Sequence, residues 1–349
     1  MILSNAQKIF FKAKNTMTQN YTNAGQNQAE SQALVKSDNN SQSLTIKGKG
    51  SLLALTDSII SSAIAVRKAN QLEIDYSWMQ EIWDWADRFE INENIIPRNR
   101  DALMALTSIP AEDSGSWNIW DLPDSIGRLT NLTKLNIGGQ CLDILLPSSI
   151  GQLTNLTHLD IHNNQLQKLP DWISQLTKLT KLVVAINSIV KLPDWVSQLT
   201  KLTYLDINEC MLTELPEWIG QLTNLTHLHI NNNEITELPE SIGQLTKLTH
   251  LDISCTEITE FPESIDKLTK LTHLNIRFIR ICKLPEWIGQ LTNLTYLDIS
   301  DCGLTELPEW IGQLNHLTCL NIDGNEFREL PKGLEQITDI NTIWHAPWS

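Results

Sequence analysis

Three histidines stand 23 residues apart, at His227, His250 and His273, and the first two are followed two places further on by His229 and Asp252. Imidazole and carboxylate together can hold zinc or pass a proton, so these are the first residues to weigh. A zinc site needs three or four ligands converging at about 2 Å from one point. Residues set by a fixed repeat instead lie on neighbouring parallel strands, about 4.8 Å apart and pointing the same way. They form rows and do not converge, so no metal centre, acid–base pair or cofactor is expected. The sequence also has no phosphate loop, nucleophile elbow or HExxH. Cysteines 141, 210, 255, 282, 302 and 319 are scattered without a CxxC pair, which suits a reducing compartment.

Recognition is the chemistry that remains. Tyr204, Asp206, His227, His229, His250, Asp252, His273 and Arg277 fall at the third, fifth and seventh places of successive segments, and Phe278 follows at the eighth. Aromatic residues and arginine dominate binding hot spots, and an exposed phenyl ring is costly unless something covers it. A second column holds Trp172, Trp195, Trp218, Trp287 and Trp310, with serine at the same place in other segments. These indoles either shield an outer layer or form an alternative aromatic ridge for a partner.

The element that must position these rows is a phrase of 23 residues, clearest as LTHLHINNNEITELPESIGQLTK from Leu225 to Lys247. Its first leucine recurs at Leu156, Leu179, Leu202, Leu225, Leu248, Leu271, Leu294 and Leu317, and Leu132 precedes them with one extra residue in its copy. Leu225, Leu228 and Ile230 alternate toward one side of a short strand, Ile235 and Leu238 continue inward, and Ile242 and Leu245 close the loop. The apolar groups of one such unit are too few to offset the entropy of ordering it, so each unit needs its neighbours: a solenoid. Pro239 fixes the backbone after Leu238, and the SIGQL that follows has room for a single helical turn.

The core LTHLDIHNNQL from Leu156 resembles the LxxLxLxxNxL pattern of leucine-rich repeats. The LPExIGQL half is similar to the intracellular bacterial and plant Ras-group-related members. The resemblance implies an α/β solenoid, a horseshoe with a parallel concave sheet, short helical or 3-10 convex turns and a helical N-terminal cap. It also implies that the asparagine place (Asn164, Asn187, Asn233 and Asn325) bonds buried backbone groups. Cys210 and Cys302 are tolerated there, while Gln140, Thr256 and above all Ile279 depart from the pattern, so the ladder should be weakest near Ile279.

In chain order, residues 1–48 are rich in Asn, Gln, Ser and Thr and are expected to be disordered. Residues 49–100 read as a helical cap: one helix over Leu52–Ala69, then a second opened by a Ser77/Gln80 capping box and burying Trp78, Met79, Ile82, Trp83, Ala86 and Phe89. The solenoid is expected over 101–337, with Leu103 and Leu106 as a first degenerate strand, and a closing cap over 338–349. No run approaches the 18 apolar residues of a membrane span, and Met1–Phe11 is too polar for a Sec signal. Residues 1–100 carry a net +1 and the remainder −16, giving −15. Asp171, Asp194, Glu217, Glu240, Glu263, Glu286 and Glu309 share one place, a solvated acidic column that disfavours nucleic acid.

The resemblance therefore implies a non-enzymatic scaffold that binds a protein partner on its concave face, with intracellular signalling as the expected setting. A cytoplasmic monomer is expected. The alternative is a secreted bacterial effector that binds a host protein, with the Asn/Ser-rich N-terminus as its export signal.

Overall fold

The computed structural model describes residues 76–110, 119–139, 146–332, 334, 337 and 339–341, all within one compact unit, Asp75–Ser349. The expected disordered segment, the Leu52–Ala69 helix and Gln140 lie outside the described residues. What is described is a parallel sheet of eleven strands in strict chain order: β1 (Ser108–Ile109), β2 (Lys134–Asn136), β3 (His158–Asp160), β4 (Lys181–Val183), β5 (Tyr204–Asp206), β6 (His227–His229), β7 (His250–Asp252), β8 (His273–Asn275), β9 (Tyr296–Asp298), β10 (Cys319–Asn321) and β11 (Asp339–Asn341). Each third-place residue pairs with the next third-place residue, as in Tyr204 with His227 and His227 with His250, so every row of the sequence is a physical row. Between the strands, proline opens a 3-10 turn on the opposite side, for example Glu217–Gln221 after Pro216.

The core runs the length of the stack. Leu225, Leu228, Ile230, Ile235, Ile242 and Leu245 are all fully buried, and the same places are filled in each neighbouring repeat. Burying such side chains contributes roughly 1.5–3 kcal/mol each.

Polar groups inside the turns are satisfied by one side chain per repeat. The Asn187 amide donates to the carbonyls of Ile161, Val184 and Ala185, and its Oδ1 accepts from the amides of Asn164 and Leu166 one repeat earlier. Asn233 does the same for Ile207, Ile230, Asn231, Cys210 and Leu212. Cys210 replaces this only with a thiol bond to Val184 O, and Thr256 only with a hydroxyl bond to Ile253 O. Ile279, fully buried, has nothing to offer the amides of Thr256 and Ile258. Its own N–H instead closes a tight turn on Ile276 O.

One feature of the turns was not legible in the pattern. The residue just before this asparagine place is left-handed in every described repeat: Asn163, Ile186, Glu209, Asn232, Cys255, Phe278 and Asp301, with Gly139 and Gly324 at the two ends. Its N–H points to the next repeat, as from Ile186 to Asn208 O and from Phe278 to Ser300 O. The left-handed bend is what turns the asparagine inward.

At the N-terminal end, α1 (Ser77–Arg88) packs on the first 3-10 turn, Asp124–Arg128, with the Arg128 guanidinium 5.8 Å from the Trp78 ring. Three details differ from the sequence reading. The N-cap is Tyr76 and makes no side-chain cap bond, so the Ser77/Gln80 box does not form, and Gln80 bonds Asp84 instead. Trp85 is buried along with Trp78 and donates to Asp121 O, whereas Trp83 is partly exposed and donates to Pro97 O. Leu103 lies in a second short helix, α2 (Arg100–Met104), capped by Asn99, and the first strand comes later, at Ser108. A residue with helical spacing and an Asn cap prevailed there over the leucine pattern.

Two substitutions probe these turns. Asn233→Ala strands two amides and three carbonyls in the interior, and unpaired buried polar groups cost about 1–3 kcal/mol each; denaturant unfolding should show a loss of at least about 3 kcal/mol, well above that of Thr256→Ala. Ile186→Asn should raise stability by about 1 kcal/mol, because a left-handed β-branched residue is strained and asparagine is not. Ile186 is 43% exposed, so little burial is lost; a fall in stability would refute the strain.

Candidate recognition surface

The face of the sheet is built on a ladder of threonines. Each second-place hydroxyl donates to the carbonyl of the preceding one: Thr226 to Thr203, Thr249 to Thr226 and Thr272 to Thr249, at 2.9–3.0 Å. A hydroxyl has one proton, so toward the adjacent imidazole it can only accept. Thr226, Thr249 and Thr272 lie 2.9 Å from Nδ1 of His227, His250 and His273. Nδ1 therefore carries the proton in each ring, and Nε2 is left as an acceptor facing outward. Thr157 holds His158 in the same way, at 2.8 Å.

These rings form a continuous rail. His227 stacks on His250 and His250 on His273, both with centroids 4.1 Å apart. Tyr204 closes one end at 5.4 Å from His227, with Lys181 Nζ 4.4 Å from the Tyr204 ring centroid, and Tyr296 closes the other at 5.8 Å from His273. Tyr204 also stacks on His229 across the face at 5.3 Å. A 4.1 Å step is shorter than the strand spacing of about 4.8 Å, so side chains crowd together on this side.

Charging any ring of the rail is opposed. Burial and the neighbouring histidines push His250 down to about 4. Burial, then His229, His273 and Lys181, lowers His227, and burial lowers His273. His162 goes the other way, raised by its bond to Asp160. Among the described residues, no group of three His, Cys, Asp or Glu is placed to hold an ion.

Beside the rail runs the fifth-place row. Its aspartates, Asp160, Asp206, Asp252 and Asp298, occupy alternate strands, with Val183, His229 and Asn275 between them. In each, Oδ1 accepts the amide two residues on, from His162, Asn208, Ser254 and Ser300. The carboxylates are thereby pinned at one orientation. Burial, above all, raises the pKa of Asp206.

The remaining candidates are not gathered into this row. Arg277 reaches sideways to Asp301 at 3.1 Å and lies 4.7 Å from the centroid of the Phe278 ring. Phe278 itself is 47% exposed at the left-handed turn, with Ile186 and Met211 as other exposed apolar residues along that margin. On the opposite side, the tryptophans lie against the core. Trp172 is buried, and Trp195, Trp218, Trp287 and Trp310 are partly so. Trp195 donates to Asp171. The acidic column there caps the next repeat: Glu217 and Glu240 accept from the amides of Ser241 and Ser264.

The sequence alone did not reveal the threonine ladder as the device that sets the histidine tautomer. The signal was present, since Thr precedes His at 158, 227, 250 and 273, but its meaning depends on the carbonyl across the strand. Likewise, the asparagines of the N-L-T triplets at Asn131, Asn155, Asn224 and Asn293 each donate to a carbonyl of the preceding turn.

Family profiles match four stretches of the chain: Leucine-rich repeat region over 263–348, Leucine rich repeat over 223–281, Leucine Rich repeats (2 copies) over 200–243 and Leucine Rich Repeat over 155–176. No curated protein matches it in sequence. Among solved structures it is similar to the LRR ectodomain of the plant membrane receptor kinase GASSHO1/SCHENGEN3 from Arabidopsis thaliana in complex with CASPARIAN STRIP INTEGRITY FACTOR 2. That match has 27% identity over 69% of this chain and 31% of that one, with a TM-score of 0.57. The functional domain of InlJ from Listeria monocytogenes matches at 31% identity over 69% of this chain and 54% of that one, TM-score 0.52. The plant peptide hormone receptor RGFR1 in complex with RGF2 matches at 26% identity over 63% of this chain and 42% of that one, TM-score 0.50. The chain thus spans from under a third to just over half of these structures' lengths.

A pH test follows from the rail. The folded pKa values of His227, His250 and His273 lie below the ordinary 6.5, so the unfolded chain binds more protons just below that value. Their contribution to stability is then complete above about pH 6.5 and falls as pH drops toward the folded values. His250→Tyr keeps a ring where tyrosine already stands in β5 and β9, and removes the titration. Its melting temperature should fall less than the parent's between pH 6.5 and 5, and parallel curves would contradict the assignment.

Proposed function

Because this chain is a leucine-rich-repeat protein, we propose that it is a non-enzymatic scaffold that seats a protein partner on the sheet face of β3–β9. The observation that carries this is the rail from Tyr204 to Tyr296: stacked, half-buried rings whose outward nitrogens have acceptor capacity and no proton to give. Rings held this way lose little entropy on binding, which is what makes aromatic residues effective anchors. The GASSHO1/SCHENGEN3 and RGFR1 structures, each a complex of a similar fold with CASPARIAN STRIP INTEGRITY FACTOR 2 or RGF2, support the same use of the fold. Seven strands at about 4.8 Å span roughly 30 Å, enough for a standard footprint of about 800 Å². The Trp column is the weaker surface, because its indoles are already spent on the core.

We place this scaffold in a reducing compartment. Cys210 and Cys302 each donate S–H to a backbone carbonyl, of Val184 and Ile276, and burial pushes both thiols up to about 12. They act as structural thiols. Labelling the denatured protein, followed by mass spectrometry, should count six free thiols, with Cys210 and Cys302 unreactive before denaturation. A native disulfide would overturn the placement.

Two double variants locate the surface. Tyr204→Ala with Arg277→Ala should weaken binding of a captured protein partner by roughly 30-fold or more, the scale of a single hot-spot residue of about 2 kcal/mol. Trp195→Ser with Trp218→Ser, which places a residue the column already uses, should leave it unchanged. The opposite pattern would move the site to the other side of the solenoid.

A further inference from the structure

Resting on the sheet face as the binding surface, we infer the class of its partner: an extended segment in polyproline II conformation, with Lys or Arg at every third residue, lying across β3–β7. Asp160, Asp206 and Asp252 sit on every second strand. Two strand steps are about 9.6 Å at the backbone, and two ring steps at the side-chain tips are 2 × 4.1 Å, about 8.2 Å. The carboxylates therefore repeat at about 8–9.6 Å. Polyproline II advances 3.1 Å per residue with three residues per turn, so one of its sides repeats every ~9.3 Å. A β-strand repeats a side every ~6.7 Å, and an α-helix presents seven-residue repeats every ~10.5 Å. Only the first of these periods falls within that range.

Chemistry agrees with the period on two independent rows. Each aspartate spends Oδ1 on the amide two residues on, which fixes the group, and Asp160 Oδ1 also meets the His162 ring at 2.7 Å. The Asp206 carboxylate also meets the Tyr204 hydroxyl, and Asp252 shares its Oδ2 with Asn275, so a cation arriving here joins hydrogen bonds already in place. Asp298 is 5% exposed with Oδ2 taken by Asn321, so the run of cation sites ends before it. The ring rail lies two residues along the same strands, roughly 6.6 Å away. A three-sided helix that sets its cations on the aspartates lays its next side on Tyr204, His227 and His250, and aromatic surfaces are what polyproline II segments dock on. Lys181 does not block this, because it is drawn over the Tyr204 ring. The chain's charge of −15 complements the partner's but carries no register.

The test uses the full chain and two fluorescein-labelled 12-residue peptides of one composition: four Pro-Pro-Arg triplets, and a control with its four arginines in one central block. Anisotropy titration at physiological salt should find the triplet peptide at least ~10-fold tighter. Asp206→Asn keeps an oxygen for the Asn208 amide, so melting should be unchanged, yet triplet binding should drop ~10-fold. Asp194→Asn, the same charge change on the 3-10 side, should alter it less than ~2-fold. Equal affinity for the two peptides, or equal losses from the two variants, would show attraction by net charge alone and overturn the inference. That result leaves the scaffold reading intact if Tyr204→Ala with Arg277→Ala still releases a captured protein. If those variants release nothing, the sheet-face reading falls with it.

Discussion

The structure depends on the carboxamides that close its turns at Asn164, Asn187, Asn233 and Asn325. A solenoid turn must send its backbone out of one strand and around a corner without water, and each unpaired group there costs more than an ordinary hydrogen bond returns. Asn187 and Asn233 settle this with five bonds apiece, some inside their own turn and some in the turn before. The side chain that finishes one repeat is therefore supplied by the next. Packing shows the same dependence: Leu225 or Ile242 is fully buried only because neighbours lie on both sides. Hydrogen bonding and apolar burial both forbid a free-standing repeat, and together they align the rows of the sheet face to within a ring's thickness.

Much of this architecture could be read from residue types. The 23-residue spacing placed each strand, its inward leucines and the row to which every polar residue belongs, since parallel pairing in register leaves a row nowhere else to go. Regularity failed as a guide at the N-terminal end. There Leu103 looked like a strand residue but follows an asparagine cap into a helix. Trp83 and Trp85 differ by two positions on a helix, and the carbonyls of Pro97 and Asp121 decide which of them is buried. Such choices depend on groups distant in sequence, and no local pattern contains them.

The candidate surface was legible as a set of residues but not as a chemical state. His227, His250 and His273 could be named in advance. That they are neutral, proton-in and lone-pair-out follows from a threonine proton committed to a carbonyl one strand away. The alternation of aspartate with uncharged residues along the fifth place was visible in the letters as well. Its meaning depends on strand spacing, a distance and not a sequence. The same alternation keeps carboxylates from lying on adjacent strands, where like charges destabilise a sheet. An acidic row of this length is tolerable because every second member is neutral.

The orientation imposed by the threonines has an effect at the scale of whole molecules. Along β3–β7 the face offers lone pairs and carboxylate oxygens, while its ring protons are already committed inward. Two copies brought face to face would set acceptor against acceptor and anion against anion, with few donors beyond Lys181 and the Tyr204 hydroxyl to relieve them. Flat, exposed sheets are ordinarily a hazard for clumping. Here the polarity of the hydrogen bonds makes the broadest surface self-avoiding: sticky toward donors and cations, and repellent toward its own copies even in a crowded solution.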